Sequence, residues 1–310
     1  MLRAWILFAV LLPCLLWASS GDDMVVAVRT ALAYNNIPLA EKEIAAYRAR
    51  SGATPAVVEA MSWVGRGFLA AGNPEKADAY AVETRKLVLE VLKKRTLDAE
   101  YHLPIALGNS IEIQAQVMVS QGRRAEALGF LAHERETWGR TSIGARIQKN
   151  INLLSLEGKP APALGVSPWL GSKPPSLISL RGHPVLLFFW AHWCSDCKRE
   201  IADIARLMAE YRGQGLVTIG PTQRYGYVAQ GQEASPEQEL KYIEAVRQQI
   251  YAPLAGMPVP VSEQAFRAYG ASTTPTLVLI DRKGIVRMYH PGAMPYSELA
   301  AQVQSVLKRP

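Results

Sequence analysis

Cysteine is scarce: the chain has three in 310 residues, and two of them, Cys194 and Cys197, stand only two residues apart. So few thiols cannot make a disulfide-stapled scaffold. Histidine is sparse as well, five residues with no pair at helical spacing, and without a second cysteine pair a four-ligand structural zinc site cannot be completed. Apolar runs of spanning length are absent after Trp17, so nothing beyond the first twenty residues reads as a membrane segment. Clusters of Lys and Arg with interleaved aromatics are missing too, which argues against a nucleic-acid groove despite a net charge of +7. That charge reads as solubility and a mild attraction to anionic surfaces. With 49% apolar and 20% charged residues the composition is not that of a disordered chain, and the length suits two domains.

What is present begins with a leader. "MLRAWILFAVLLPCLLWASSGDD" has Arg3, an apolar run from Ala4 to Trp17, then small residues to Ser20, the layout of a secretory signal over residues 1–20. An uncleaved membrane anchor is the alternative. Cys14 follows Pro13, where a lipoprotein acceptor would want a small residue. Either way the chain is expected outside the cytoplasm, in a compartment that tolerates disulfides.

Residues 22–157 are written for helices, with Ala, Leu, Glu, Lys and Arg dominant and apolar residues recurring at three and four. "YNNIPLAEKEIAAY", "AAGNPEKADAYAVE" and "VSQGRRAEALGFLA" each stop one helix at Gly or Asn and start another. The stretch Trp63–Val82 resembles a tetratricopeptide unit, although the turns are irregularly spaced, so a degenerate array or a plain helical bundle is expected. Such a domain would recruit a protein partner or support self-association. The Pro- and Gly-rich stretch from Gly158 marks a boundary.

Residues 158–310 alternate strands with helices. "PVLLFFWA" reads as a buried strand, Ser195–Tyr211 as a helix, "GLVTIG" as a strand, and "SPEQELKYIEAVRQQIY" as a helix capped by Ser235. "EQAFRAYG" predicts a short helix closed by Gly270, "TLVLID" and "IVRMYH" a hairpin, and "YSELAAQVQSVLK" a last helix. The class is α/β with a mixed sheet.

A C-x-x-C pair between a strand and a helix puts Cys194 at the helix start, where the dipole and free amides favour its thiolate, the species that attacks disulfides. Cys197, one turn on, can resolve the product. A structural disulfide closing so small a ring removes little chain entropy, whereas copper held by the two thiolates stays open. His192 could lower the thiolate's pKa or shuttle a proton, or simply be a solvated rim residue. The other four histidines show no partner and read as structural.

"FFWAHWCSDCKREI", "STTPTLVLIDRKGIV" and the late Pro291-Gly292 together resemble the thioredoxin-fold superfamily, and "GKPAPAL" with "SLRGHPVLLFFWAHWC" resembles its exported TlpA/ResA-like branch. The resemblance covers about residues 158 to 308 and none of the helical half. It implies an exported, bacterial thiol-disulfide oxidoreductase in the periplasm or on the outer face of the membrane, with no cofactor beyond a Cys194–Cys197 disulfide and no metal. Its partners would be protein thiols or disulfides and a membrane electron donor or acceptor. It further implies Cys194 as the exposed nucleophile, Cys197 as the buried resolving thiol, Trp193 shielding the pair, and Thr274-Pro275 as a cis-proline loop that binds the substrate backbone. Two departures matter. Asp196 replaces the usual proline, opposing the Cys194 thiolate and favouring a reducing pair, offset in part by Lys198 and Arg199. Phe188 stands where thioredoxins carry a buried acid, and Thr222 and Gln223 occupy the other place one would be sought, so the group that deprotonates Cys197 has no assignment.

Two other functions compete. A peroxiredoxin-like peroxidase wants Thr three residues before its cysteine, where this chain has Ala191. A helical-repeat binding or scaffold protein would leave the cysteine pair inert or holding a metal.

Overall fold

The structure, a computed structural model, describes residues 20–165 and 168–309. The segment read as a leader, with Cys14, lies outside the described residues except for Ser20. That serine opens the first helix: its hydroxyl accepts the Asp23 amide while the Asp23 carboxylate accepts the Ser20 amide. Among the described residues no helix is long and apolar enough to cross a membrane.

The first half is helical throughout: α1 (Gly21–Ala33), α2 (Ile37–Ser51), α3 (Pro55–Ala70), α4 (Pro74–Leu92), α5 (His102–Ser120), α6 (Arg124–Trp138) and α7 (Gly144–Ser155). One stop signal is used three times. After α1, α3 and α5 a residue with positive φ, Asn35, Gly72 or Gly122, breaks the helix. The following amide then reaches back five residues, Asn36 to Ala31, Asn73 to Phe68 and Arg123 to Met118. Asn36 and Asn73 go on to cap α2 and α4 by accepting the Leu39 and Lys76 amides. The result is three helix hairpins in series with α7 closing the row. Val28, Val57, Val64 and Ile113 fill one core, and Leu103, Leu107, Leu131 and Ile147 a second.

Between α3, α5 and α7 the buried carboxylate of Glu112 meets Arg146 at 2.7 Å, Lys149 at 3.2 Å and Arg66 at 3.4 Å. Burial alone would raise its pKa, but the three cations outweigh that cost and hold it at about 2. His102, expected to have no partner, faces the Glu59 carboxylate at 2.6 Å and Asp22 at 3.4 Å. It ties α1, α3 and α5 together, a structural use that the sequence concealed because the partners are distant.

The second half runs β1 (Trp169–Leu170), β2 (Val185–Phe189), α8 (Ser195–Arg199), α9 (Ile201–Tyr211), β3 (Val217–Ile219), α10 (Pro236–Gln249), β4 (Val259–Pro260), α11 (Glu263–Tyr269), β5 (Thr276–Ile280), β6 (Val286–Pro291) and α12 (Tyr296–Leu307). The main sheet has the order β3-β2-β5-β6. β2 is parallel to β3, antiparallel to β5, and β5 is antiparallel to β6, so the sheet is mixed as expected. Alternation along β2 sorts the two faces: Leu186 and Phe188 point to the layer holding α9 and α12, and Leu187 and Phe189 to the layer holding α11. Every residue of β2 is buried, which is why it reads as an unbroken apolar run.

One local expectation needs correction, and two features go beyond the sequence reading. The helix read over Ser195–Tyr211 is two, α8 and α9, bent at Glu200. β1 and β4 form a small antiparallel pair that the sequence did not suggest. The stretch that begins at Gly158 runs along the sheet edge of the second half, with Gly158 N–H donating to Val286, Val286 N–H to Lys159, and Ala161 N–H to Gly284. Pro160 and Pro162 are compatible with that role because an edge segment uses only one side of its backbone.

The two halves meet through α7 and α11. Gly270, at φ 58°, ends α11 so close to α7 that a Cβ there would overlap the Lys149 backbone nitrogen. Asn152 on α7 donates to the Ala268 carbonyl on α11, and the Glu157 carboxylate accepts the Tyr289 amide of β6. The loop from Gly270 therefore leaves the helical half and runs straight to Pro275.

Candidate active site

β2 ends at Phe189, and the chain turns so that the Cys194 amide bonds back to the Ala191 carbonyl before α8 begins. Cys194 is the N-cap of α8, its Sγ accepting the Cys197 amide at 3.0 Å, and the two sulfurs are joined as a disulfide. The Thr274–Pro275 bond is cis, and the Thr274 carbonyl oxygen lies 3.3 Å from Cys194 Sγ. The Pro275 carbonyl accepts the Gly292 amide at 2.8 Å, which brings the late Pro-Gly pair to the same corner. The structure thus gathers the separated motifs at one place.

Cys194 is less open than expected. In this oxidised form it keeps 3% of its surface and Cys197 none, so the asymmetry has the expected sign but the outer cysteine is nearly covered. Trp193 beside it is 48% exposed, its ring edge-on to Tyr225 at 5.4 Å.

His192 is no rim residue. It is 1% exposed, enclosed edge-on by Tyr225, Tyr227 and Tyr242, with Nε2 3.4 Å from Glu239 Oε1. Burial depresses its pKa against the pull of Glu239, and the Lys198 charge acts in the same direction as burial, so the ring is neutral at ordinary pH. Glu239, missed from sequence, accepts the Tyr225 and Gly226 amides at 2.5 and 2.9 Å and so fixes the loop against which Trp193 rests. Asp196 is half exposed and paired with Arg199 at 2.6 Å. Lys198 donates no side-chain hydrogen bond among the described residues.

The second missed residue is an acid. Glu200 follows Cys197 by three positions, hence on the same face of the helical run, and is nearly buried. Its Oε1 accepts the Met294 amide at 2.6 Å, while Oε2 is buried with no partner. Burial, reinforced by Asp203 and Asp196 and opposed by the Met294 amide, raises its pKa to about 7. The i, i+3 relation to the second cysteine was the available signal. Thr222, where an acid was sought, instead donates its hydroxyl to the Trp190 carbonyl.

The C-terminal half is a thioredoxin-like domain, by its mixed sheet, its C-x-x-C helix start and the match of residues 176–307 to the thioredoxin-like domain family. Relatives narrow that class. The thioredoxin-like protein YneN of Bacillus subtilis (strain 168) is 28% identical over 145 residues, 46% of this chain and 76% of that protein. The thiol-disulfide oxidoreductase ResA of Geobacillus thermodenitrificans is 26% identical over 134 residues, 42% of this chain and 67% of the relative. The thiol:disulfide interchange protein DsbE of Xylella fastidiosa (strain 9a5c) is 29% identical over 145 residues, 45% of this chain and 64% of the relative. The family match begins at residue 176, so the tetratricopeptide likeness of the helical half remains a resemblance of sequence.

Proposed function

We propose that the chain exchanges disulfides with protein thiols through Cys194 and Cys197, chiefly as a reductant, outside the cytoplasm. The observation that carries this reading is the meeting of Cys194 Sγ, the α8 start and the Thr274 carbonyl at one point. A Cys194 thiolate, favoured by the Cys197 amide and the helix start, attacks a sulfur of the partner's disulfide. A mixed disulfide forms, and the partner's other sulfur leaves as a thiolate that takes a proton from solvent. Cys197 passes its proton to Glu200, and its thiolate attacks Cys194 Sγ, expelling the second partner sulfur, which is protonated in turn. The partner has gained two electrons and two protons, and the chain holds the Cys194–Cys197 disulfide. A dithiol electron donor at the membrane restores it. No cofactor enters. Trp193 and the backbone of Thr274 and Pro275 flank the bound segment, and His192 with Glu239 holds the Trp193 loop in place.

The experiment is capture. Cys197→Ser in the full chain accumulates a mixed disulfide with exported proteins, cleaved by dithiothreitol and resolved by mass spectrometry; an expressed, folded variant that captures none removes this reading. Export is supported by the leader pattern, and cell fractionation that finds the full chain in the cytosol would sink it.

Direction rests on Asp196. Its carboxylate, beside the helix start and only partly neutralised by exposed Arg199, opposes a thiolate at Cys194 and so makes the reduced pair harder to keep. Asp196→Asn is expected to shift the equilibrium against a glutathione buffer toward a more oxidising protein, by a factor of a few, as suits a half-exposed charge. A variant equal to or more reducing than wild type defeats the argument.

A further inference from the structure

Two clefts lie side by side outside the disulfide corner. One, of about 410 Å³, is bounded by Tyr225, Arg224, Glu263 and Arg267. The other, of about 330 Å³, lies where the halves meet, with Arg140, Thr141 and Ser142 of the α6–α7 turn on one wall and Ala271 and Ser272 on the other. Gln223 and Arg267 line both. The pair extends from Tyr225, which touches Trp193, to Ser272, two residues before the Thr274 carbonyl that contacts Cys194 Sγ.

We infer that the two clefts form one channel, the helical domain supplying one wall of the second, that it seats the extended segment flanking a client's disulfide, and that it selects acidic segments. The inference rests on the redox reading above. Its physical basis is the excess of guanidinium over solvent-facing carboxylate in the lining. Arg224 and Arg267 share one carboxylate, Glu263, at 3.6 and 3.8 Å, and all three are open to solvent. Arg140 is exposed, and its side chain makes no hydrogen bond or ion pair with the described residues. Glu239 also lines the channel but is buried and spends both oxygens on the Tyr225 and Gly226 amides. Asp98, outside the lining, is engaged by the Ser142 amide and hydroxyl. In the lining three guanidiniums stand against one solvent-facing carboxylate, Glu263, and one buried carboxylate, Glu239, with Asp98 just outside. That balance leaves Arg140 and one of Arg224 and Arg267 to meet the Asp and Glu side chains of a segment through paired hydrogen bonds. The same geometry gives the helical half a role in client binding, because its Arg140, Thr141 and Ser142 face the Ala271–Ser272 stretch that leads to Thr274.

The test uses the reduced full chain and three oxidants: 2-hydroxyethyl disulfide, and two otherwise identical cyclic disulfide peptides flanked by Glu or by Lys. Second-order rates are measured by stopped flow and expressed relative to 2-hydroxyethyl disulfide. The Glu peptide is expected to react roughly tenfold faster than the Lys peptide at low ionic strength, and the preference to shrink at about 0.5 M salt. Arg140→Glu, in the helical half, is expected to reduce or invert the ratio. Equal peptide rates at low salt, with 2-hydroxyethyl disulfide still consumed, overturn the channel alone; no reaction with any of the three overturns the redox reading beneath it. Should Arg140→Glu fold poorly, the salt dependence of wild type decides: a preference that does not fall with salt is not electrostatic, and the inference fails.

Discussion

Glu200→Gln is expected to slow resolution of the mixed disulfide at neutral pH by about 10²- to 10⁴-fold, the range for loss of a positioned proton acceptor. Cys197 is fully buried, so its thiol cannot pass a proton directly to bulk water. Transfer from a thiol of ordinary pKa to a carboxylate near 7 is uphill by about 2 kcal/mol, against about 6 kcal/mol for a carboxylate at its usual value. The raised pKa of Glu200 is therefore what makes it a useful base. Glutamine keeps an oxygen for the Met294 amide but cannot take the proton, and its amide would occupy the place of the unpartnered Oε2.

Stability should move the other way. The carboxyl is raised from 4.5 to about 7 in the fold, so the folded chain binds more protons than the unfolded one across that window, and wild type loses stability as pH rises through it. Glutamine has no such loss, so the variant should gain on wild type in denaturant titrations between pH 5 and 8. Loss of resolution with that pH-dependent gain marks a proton acceptor. A variant that resolves the mixed disulfide as fast as wild type would remove Glu200 from the mechanism.

What the sequence made legible follows from range. Cys194, Cys197, Trp193 and the Thr274-Pro275 loop were readable because each sits in a short motif whose neighbours dictate its surroundings. Glu200 was not, since "CKRE" looks like a solvated helix face, and only the bend between α8 and α9 and the Met294 loop cover it. His192 was hidden for a similar reason: the three tyrosines enclosing it and the carboxylate facing it lie 33 to 50 residues downstream. The hairpins of the first half could be read from Asn and Gly stops, yet their docking depends on the missing side chain of Gly270, which read only as the end of a short helix. The edge pairing of residues 158–161 was masked by prolines and glycines, whose composition speaks for a break when they are in fact tolerated on an outer strand.

That docking gives Glu112 consequences beyond the helical half, because its cluster holds α7. Glu112→Ala should destabilise the protein by about 3–5 kcal/mol, the cost of removing one partner from a buried ion cluster. The variant leaves Arg146, Lys149 and Arg66 facing one another around an empty site. Repulsion would push α7 outward, and α7 is the helix whose backbone rests on Gly270 and whose Asn152 holds Ala268. Wild type should show the same dependence through acid. A carboxyl held at about 2 lends stability that is complete above its unfolded value of 4.5 and drains away as pH falls from there toward 2. Guanidinium titrations at pH 7 and pH 3 separate the two causes: the gap between variant and wild type should be wide at pH 7 and narrower at pH 3. A gap of the same width at both would mean that Glu112 matters for its volume and not its charge. Replacing Glu112 and Arg146 together by methionine should restore much of the loss, because an apolar pair of similar size needs no counter-charge. If the double variant were as weak as Glu112→Ala, the remaining cations, Lys149 and Arg66, would be the source of the repulsion, and the junction would depend on the whole cluster and not on a single pair.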